Sequence, residues 1–370
     1  MTKTELSVVA TLMTLLPGWR APAQTASEVA ARSVLEPAVT NPNRLSLSYR
    51  MGFNISASFK NLGGYTALTT LNNPQHTPNN RDGYNYDNGY VYDDNALPAN
   101  MTWYYGYNAG TPIRGTQFDL YHSSSPANVN SCDNSGDPQH GVELTYDRQI
   151  GKVGKCAWGL EVALGFTDIT IRDNRTLPGT LYRQADTFST VGSPLPAAPQ
   201  AHPYEGVPPG SQGWPSILLA PTSSTELASV PGGVTIAGHR ELDAQMLDLR
   251  LGPYLDVPIT HRCLFTLSGG ALLLFLHGDF SFDETVTLNP ALTVVSLPPQ
   301  RHQASGTSDQ WLTGGYVSGI FSYALSDRWR VSAGAQFQAS GDYSQALAGK
   351  EATLNLGEAV FVSLGLGYTF

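Results

Sequence analysis

The chain has 370 residues, of which 14% are charged, with 37 Gly, 25 Pro and a formal net charge of -9. That balance excludes a nucleic-acid surface, which needs clustered Lys and Arg to displace counterions from phosphate, and no such cluster occurs. Abundant Gly and Pro with few charges favour a loop-rich all-β design, and no heptad or long 3.6-residue pattern follows the N-terminal region.

The N-terminus, MTKTELSVVATLMTLLPGWRAPAQ, places Lys3 ahead of an apolar run from Leu6 to Leu16 and the small-residue pattern Ala21-Pro22-Ala23. This is the shape of a secretory signal peptide, predicted over 1–23, with a periplasmic segment over 24–44. No later apolar run reaches about eighteen residues, so a membrane crossing would have to use strands. From Leu45 to Lys60 the chain reads LSLSYRMGFNISASFK, with an apolar or aromatic residue at every odd position and a small, polar or charged one at every even position. Period two means a strand with two unlike faces. Soluble strands usually stop after about five or six residues, whereas a tilted transmembrane strand takes roughly nine to eleven.

A long loop is predicted over 60–139. Its segment RDGYNYDNGYVYDDNALPANMTWYYGYN offers Tyr84, Tyr86, Tyr90, Tyr92, Trp103, Tyr104 and Tyr105 as binding residues, because rigid rings beside adaptable polar groups suit surface recognition. The plainer reading packs these rings on the barrel rim. Asp82, Asp87, Asp93 and Asp94 offer carboxylates for calcium, but their spacing lacks the Glu that closes a known loop motif, so the signal is weak and no metal is assigned. Met101 to Tyr107 and Thr116 to His122 read as a hairpin above the membrane, or as two further strands of a ten-stranded barrel. His122 and Ser124, two apart, match a spacing seen in outer-membrane lipid hydrolases, but the run into Ser125-Pro126 reads as a solvated loop, so no catalytic residue is assigned.

Strands follow at 140–150 and 155–171 around the turn Gly151 to Gly154, then a Pro- and Gly-rich loop over 172–239. Further strands are predicted at 240–257, 263–277, 309–324, 329–341 and 353–370, with loops over 278–308 and 342–352. Pro253, which cannot donate to a ladder, predicts a bulge. Cys132, Cys156 and Cys263 are too scattered for a disulfide framework and leave one pair open. With eight strands, short turns and long loops alternate strictly, which is the layout of a closed antiparallel up-and-down transmembrane β-barrel with long extracellular loops, here over 45–370. A girdle is read at Trp158, Tyr323 and Trp329, with Tyr368 and Phe370, on the short-turn side, and at Phe59, Phe166 and Trp311 on the other.

The signal peptide, the alternating strands and the ending Val362-Ser-Leu-Gly-Leu-Gly-Tyr-Thr-Phe370 resemble bacterial outer-membrane β-barrels, especially small eight-stranded ones such as OmpA's membrane domain and OmpX. The resemblance implies an outer-membrane location, contact with outer-membrane lipid, and a C-terminal signal to the barrel-insertion machinery carried by Val362, Leu364, Leu366, Tyr368 and Phe370. An eight-stranded interior holds only side chains. Arg50, Glu143, Asp147, Glu161, Asp248, Arg250, Asp256 and Arg330, on the polar faces, are therefore expected to form a lumen ionic network that plugs the barrel. No cofactor and no nucleic-acid partner is expected. The functional expectation is a non-enzymatic structural or surface-binding protein with an unidentified extracellular ligand; a passive small-solute channel and a lipid-modifying enzyme are the alternatives.

Overall fold

In the computed structural model, residues 43–66, 83–92, 100–102, 105–131, 134–135, 138–190, 194–195, 215–293 and 296–370 are described. The predicted signal peptide and most of the periplasmic segment lie outside them. Eight strands form the barrel: β1 Asn43–Phe53, β2 Gln139–Val153, β3 Cys156–Asp173, β4 Ser223–Pro258, β5 Cys263–Leu288, β6 Gln300–Ala324, β7 Trp329–Ser340 and β8 Ala359–Thr369. Every neighbouring pair is antiparallel, and the eight pairings make one closed ring. β1 lies against β8 with Leu47 opposite Leu366, and β3 lies against β4 with Val162 opposite Leu251. This is an outer-membrane type of barrel, even-numbered, with short turns at one end. No described helix is long and apolar enough to cross a membrane.

The apolar faces point outward. Leu47 is 61% exposed and Leu364 66%, while Arg50 and Asp248, on the opposite faces, are fully buried. A soluble sandwich would do the reverse, so the exposed band is the surface that lipid covers. Trp158, Trp311, Tyr323 and Trp329 all stand exposed on this outer surface, with Trp329 5.0 Å from Tyr368 and Phe275 4.9 Å from Trp311. Val362, Leu364, Leu366 and Phe370 are also on the outside.

Four expectations need correction. The first and last strands are each interrupted. Asn54 has a φ of 59°, a left-handed value that Asn tolerates better than most residues, and the chain turns there. Beyond it Ile55, Ala57 and Phe59 are buried, so Phe59 is a core residue and not part of the girdle. At the other end Lys350–Asn355 is separate from β8. The two detached pieces pair with each other, and with Tyr343–Leu347 and Asn134–Ser135 they make a four-stranded inner sheet. Second, much of the predicted loops is strand. β4 runs 36 residues, β5 26 and β6 25, well past the lipid band.

Third, MTWYYGY and TQFDLYH do not pair with each other. Met101–Thr102 pairs with Ile217–Leu218, Tyr105–Tyr107 joins Gly83–Tyr86 and Gly89–Tyr92, and Gln117–Ser124 pairs with Leu177–Ser189, which itself lies on the extended part of β4. None of them enters the ring, so the count is eight and not ten. Fourth, Pro253 makes no bulge. The β4–β5 register is the same on both sides of it, and the ladder simply skips Gly252 and Pro253, where Gly269 and Gly270 let the backbones approach closely. The shift occurs instead between Gln149 and Gly151 on β2. Cys156 and Cys263 are free thiols; Cys132 lies outside the described residues.

Candidate functional site

The lumen is the first candidate. Each inward position follows from the period of its strand, and the ring brings charges distant in sequence into one layer. Arg50 on β1 pairs with Asp248 on β4 and with Glu143 on β2 at 3.4 Å, and donates to the Thr167 hydroxyl at 2.6 and 3.0 Å. Arg250 reaches Glu143 at 2.5 Å and Asp248 at 3.5 Å, and donates to Gln336. Glu161 accepts from Ser268 at 3.1 Å and Tyr316 at 3.0 Å. The guanidinium of Arg50 lies over Phe361, 4.6 Å from the ring centre, and that of Arg250 over Tyr316 at 5.0 Å. Nearer the short turns, Arg44 pairs with Asp147 at 2.6 Å and Asp256 at 3.4 Å, while Arg330 stands half-buried beside them. The eight expected lumen residues thus form two groups. Arg44, just before the predicted start of the strand, is an addition whose signal was its place on the same even-numbered face as Arg50.

Above the ionic layer the interior changes character. Inward residues of five barrel strands, among them Ile171, Met246, Leu274, Leu312 and Phe361, form a dry cluster with Phe59, Tyr343, Leu354 and Leu356 of the inner sheet and its flanks; Phe59 stacks on Phe280 at 5.7 Å. Beside this cluster a second buried ion cluster latches the inner sheet to the wall. Glu284 on β5 pairs with Arg240 on β4 at 2.8 Å and with Lys350 at 2.8 Å, accepts from the Gly63 amide at 3.2 Å, and Lys350 donates to the Gly63 carbonyl at 3.1 Å. Nothing in the sequence marked these residues, because all of them fall in or beside segments that read as loops or loop edges.

The external sheet is the second candidate. Tyr86, Tyr90 and Tyr105, three of the expected binding residues, are buried, and Tyr86 and Tyr105 share a cluster with Phe118 and Phe188. Their rings fold the external module and offer no contact surface, so the recognition reading is corrected at these positions. Tyr84 and Tyr92 sit on strands, but their side chains lie outside what is described, as do Trp103 and Tyr104 entirely.

His122 is on a strand and not in a solvated loop. Its Nε2 is 3.8 Å from Asp186 Oδ2 and its ring is 4.2 Å from Tyr86; burial pulls its pKa down while Asp186 opposes. Asp186 accepts from Tyr86 at 3.1 Å, Gln184 at 2.9 Å and Ser224 at 2.6 Å. Ser124 is exposed, and the neighbouring Ser123 is buried. A carboxylate is therefore near the His, but at 3.8 Å it makes no hydrogen bond to the ring and accepts from three other donors instead. Asp87, expected only as a weak calcium ligand, has its carboxyl pushed up to about 6 by burial, against the influence of nearby Ser123 and the field of Arg183. Among the described residues no group of three or more metal-ligating side chains occurs; Asp82, Asp93 and Asp94 lie outside them.

No family model and no curated protein matches the chain. Solved structures similar to it include Ail, the attachment invasion locus protein of Yersinia pestis, in complex with the heparin analogue sucrose octasulfate, at 10% identity over 89% of this chain and 99% of that one, with a TM-score of 0.27. The outer membrane protease OmpT from Escherichia coli is 8% identical over 91% and 99%, with a TM-score of 0.31. A Pseudomonas aeruginosa FadL homologue is 9% identical over 89% and 90%, with a TM-score of 0.18. The barrel assignment rests on the closed ring of pairings, and these likenesses carry nothing about activity.

Proposed function

We propose, for a chain whose lipid-banded barrel is of the outer-membrane type, that its role is non-enzymatic: the barrel is a sealed anchor, and the sheet that β4, β5 and β6 carry beyond the lipid is a surface-exposed binding or structural module. The observation that carries this reading is the double closure of the interior, an ionic layer around Arg50 and Arg250 beneath an apolar cluster around Phe59 and Phe361. Solute passage would require breaking charge pairs and unpacking a dry core together. The 3.8 Å gap between His122 and Asp186, whose carboxylate accepts from three other donors, weighs against hydrolysis at His122.

The test is conductance of the purified protein in a planar bilayer. Silence at neutral pH is expected; regular unitary openings would replace this reading with a channel. Lipid hydrolysis that disappears in His122→Ala would replace it with an enzyme.

A further inference from the structure

At the short-turn end of the lumen lies a cavity of about 170 Å³. Three cations line it from separate elements: Arg44 on β1, Lys155 in the turn between β2 and β3, and Arg330 on β7. Asp256 also lines it, and Asp147 pairs with Arg44 from behind. The two arginines balance the two carboxylates, and the exposed Lys155 at the cavity's edge adds one positive charge.

The hydrogen bonds are as unbalanced as the charges. Asp256 accepts from Thr266 at 2.6 Å and from Arg44 at 3.4 Å, and Arg44 donates to Asp147 at 2.6 Å. The donors that remain are the buried Nε of Arg330 and the buried Nε2 of Gln149, neither with a partner. One oxygen of Asp147 is also unpartnered, but Asp147 is not part of the cavity wall. Gly367 on β8 is opposite Ser46 on β1 and Arg330 on β7. A Cβ there would come within 2.8 Å of Ser46 Oγ. Buried donors without acceptors are costly, and two of them on side chains that line one cavity with excess positive charge match an oxyanion that carries several acceptors and one negative charge.

We propose that this cavity binds a phosphate-class monoanion, with Arg330 as its principal cation and Gln149 as a neutral donor. Dihydrogen phosphate from the periplasm and the phosphodiester of a phospholipid headgroup share this chemistry. The site does not depend on whether the lumen conducts.

The experiment uses the full mature chain, folded and checked by its faster migration on an unheated gel. In one arm, inorganic phosphate is titrated by calorimetry into protein held in a phosphate-free maltoside detergent. In the other, lipid retained from phosphatidylglycerol nanodiscs is counted by native mass spectrometry. Saturable binding of phosphate, or retention of one lipid, that weakens about tenfold or more in Arg330→Gln and is partly restored in Arg330→Lys supports the site and identifies its source. If Arg330→Gln does not fold, Gln149→Leu is the second variant, with a smaller weakening expected. Saturable binding by neither probe, or binding that is the same in wild type and in these variants, overturns the proposal.

Discussion

Arg50 has no contact with solvent and holds Asp248, Glu143 and Thr167 at once. Removing it leaves Glu143 and Asp248 to share Arg250 as their one cation, so Arg50→Leu is expected to cost about 3–5 kcal/mol, whereas Arg50→Leu with Asp248→Leu removes a neutral pair, leaves Glu143 with Arg250, and costs much less. Urea unfolding in liposomes, followed by tryptophan fluorescence, measures both; equal losses would mean that the pair is not coupled. Asp87 offers a pH test outside the membrane. Its folded pKa of about 6 lies above the ordinary 3.8, so ionisation opposes the fold. The cost is absent below about pH 4, grows between there and about pH 6, and is complete above. Asp87→Asn should therefore slow hydrogen exchange in the Gln117–Ser124 strand at pH 7.5 by an amount on the order of 1–2 kcal/mol, and change nothing at acid pH. His122 works in the opposite sense: its lowered pKa makes protonation destabilising, so its contribution weakens as pH falls below about 6.5.

At the scale of elements, the patterning of β4 and β5 inverts at the edge of the lipid band. Outward side chains change from Leu247, Leu249 and Leu251 to Glu241 and Asp243, while inward ones change from Asp248 and Arg250 to Leu242, Ala244 and Met246. The period of two never breaks; the surroundings of each face do. Outside the band, water replaces lipid, and the inner sheet replaces the ionic lumen. Between β4 and β5, a Cβ on Gly270 would lie 2.2 Å from the Leu251 carbonyl oxygen and 2.6 Å from Gly252 Cα. Any side chain there collides with main chain, so Gly270→Ala is expected to force the two strands apart and reduce the folded, fast-migrating fraction on unheated gels by more than half, an effect comparable with overpacking of about 1–3 kcal/mol. Wild-type yield would show that the approach is looser than it stands here.

For the molecule as a whole, the governing fact is which side of the wall faces hydrocarbon. Leu251 stands on the outer face with 54% exposure. Leu251→Arg should lose about 2–4 kcal/mol of folding free energy in a bilayer, while Asp243→Arg, above the band, should lose under about 1 kcal/mol. Refolding yields into liposomes compare them, and equal effects would refute the placement of the band.

How much was readable in advance differs between the two halves of the molecule. Alternation alone revealed the strand type, the eight crossings, the short-turn side and the charges that meet in the lumen, because period two and turn chemistry are local properties carried by neighbouring residues. Leu45 to Phe53 already declares its two faces. The same rule misled at Asn54 and in the last strand, since a break in the backbone leaves the alternation of letters intact while turning the chain into the interior. It also could not say that Tyr86, Tyr90 and Tyr105 are core residues, that β4 continues to Ser223, or that Arg240, Glu284 and Lys350 converge. Those outcomes depend on which distant segments cover one another. Local pattern tells a side chain which way to face along its strand, but only the closed ring and the inner sheet decide whether it meets lipid, water or protein there.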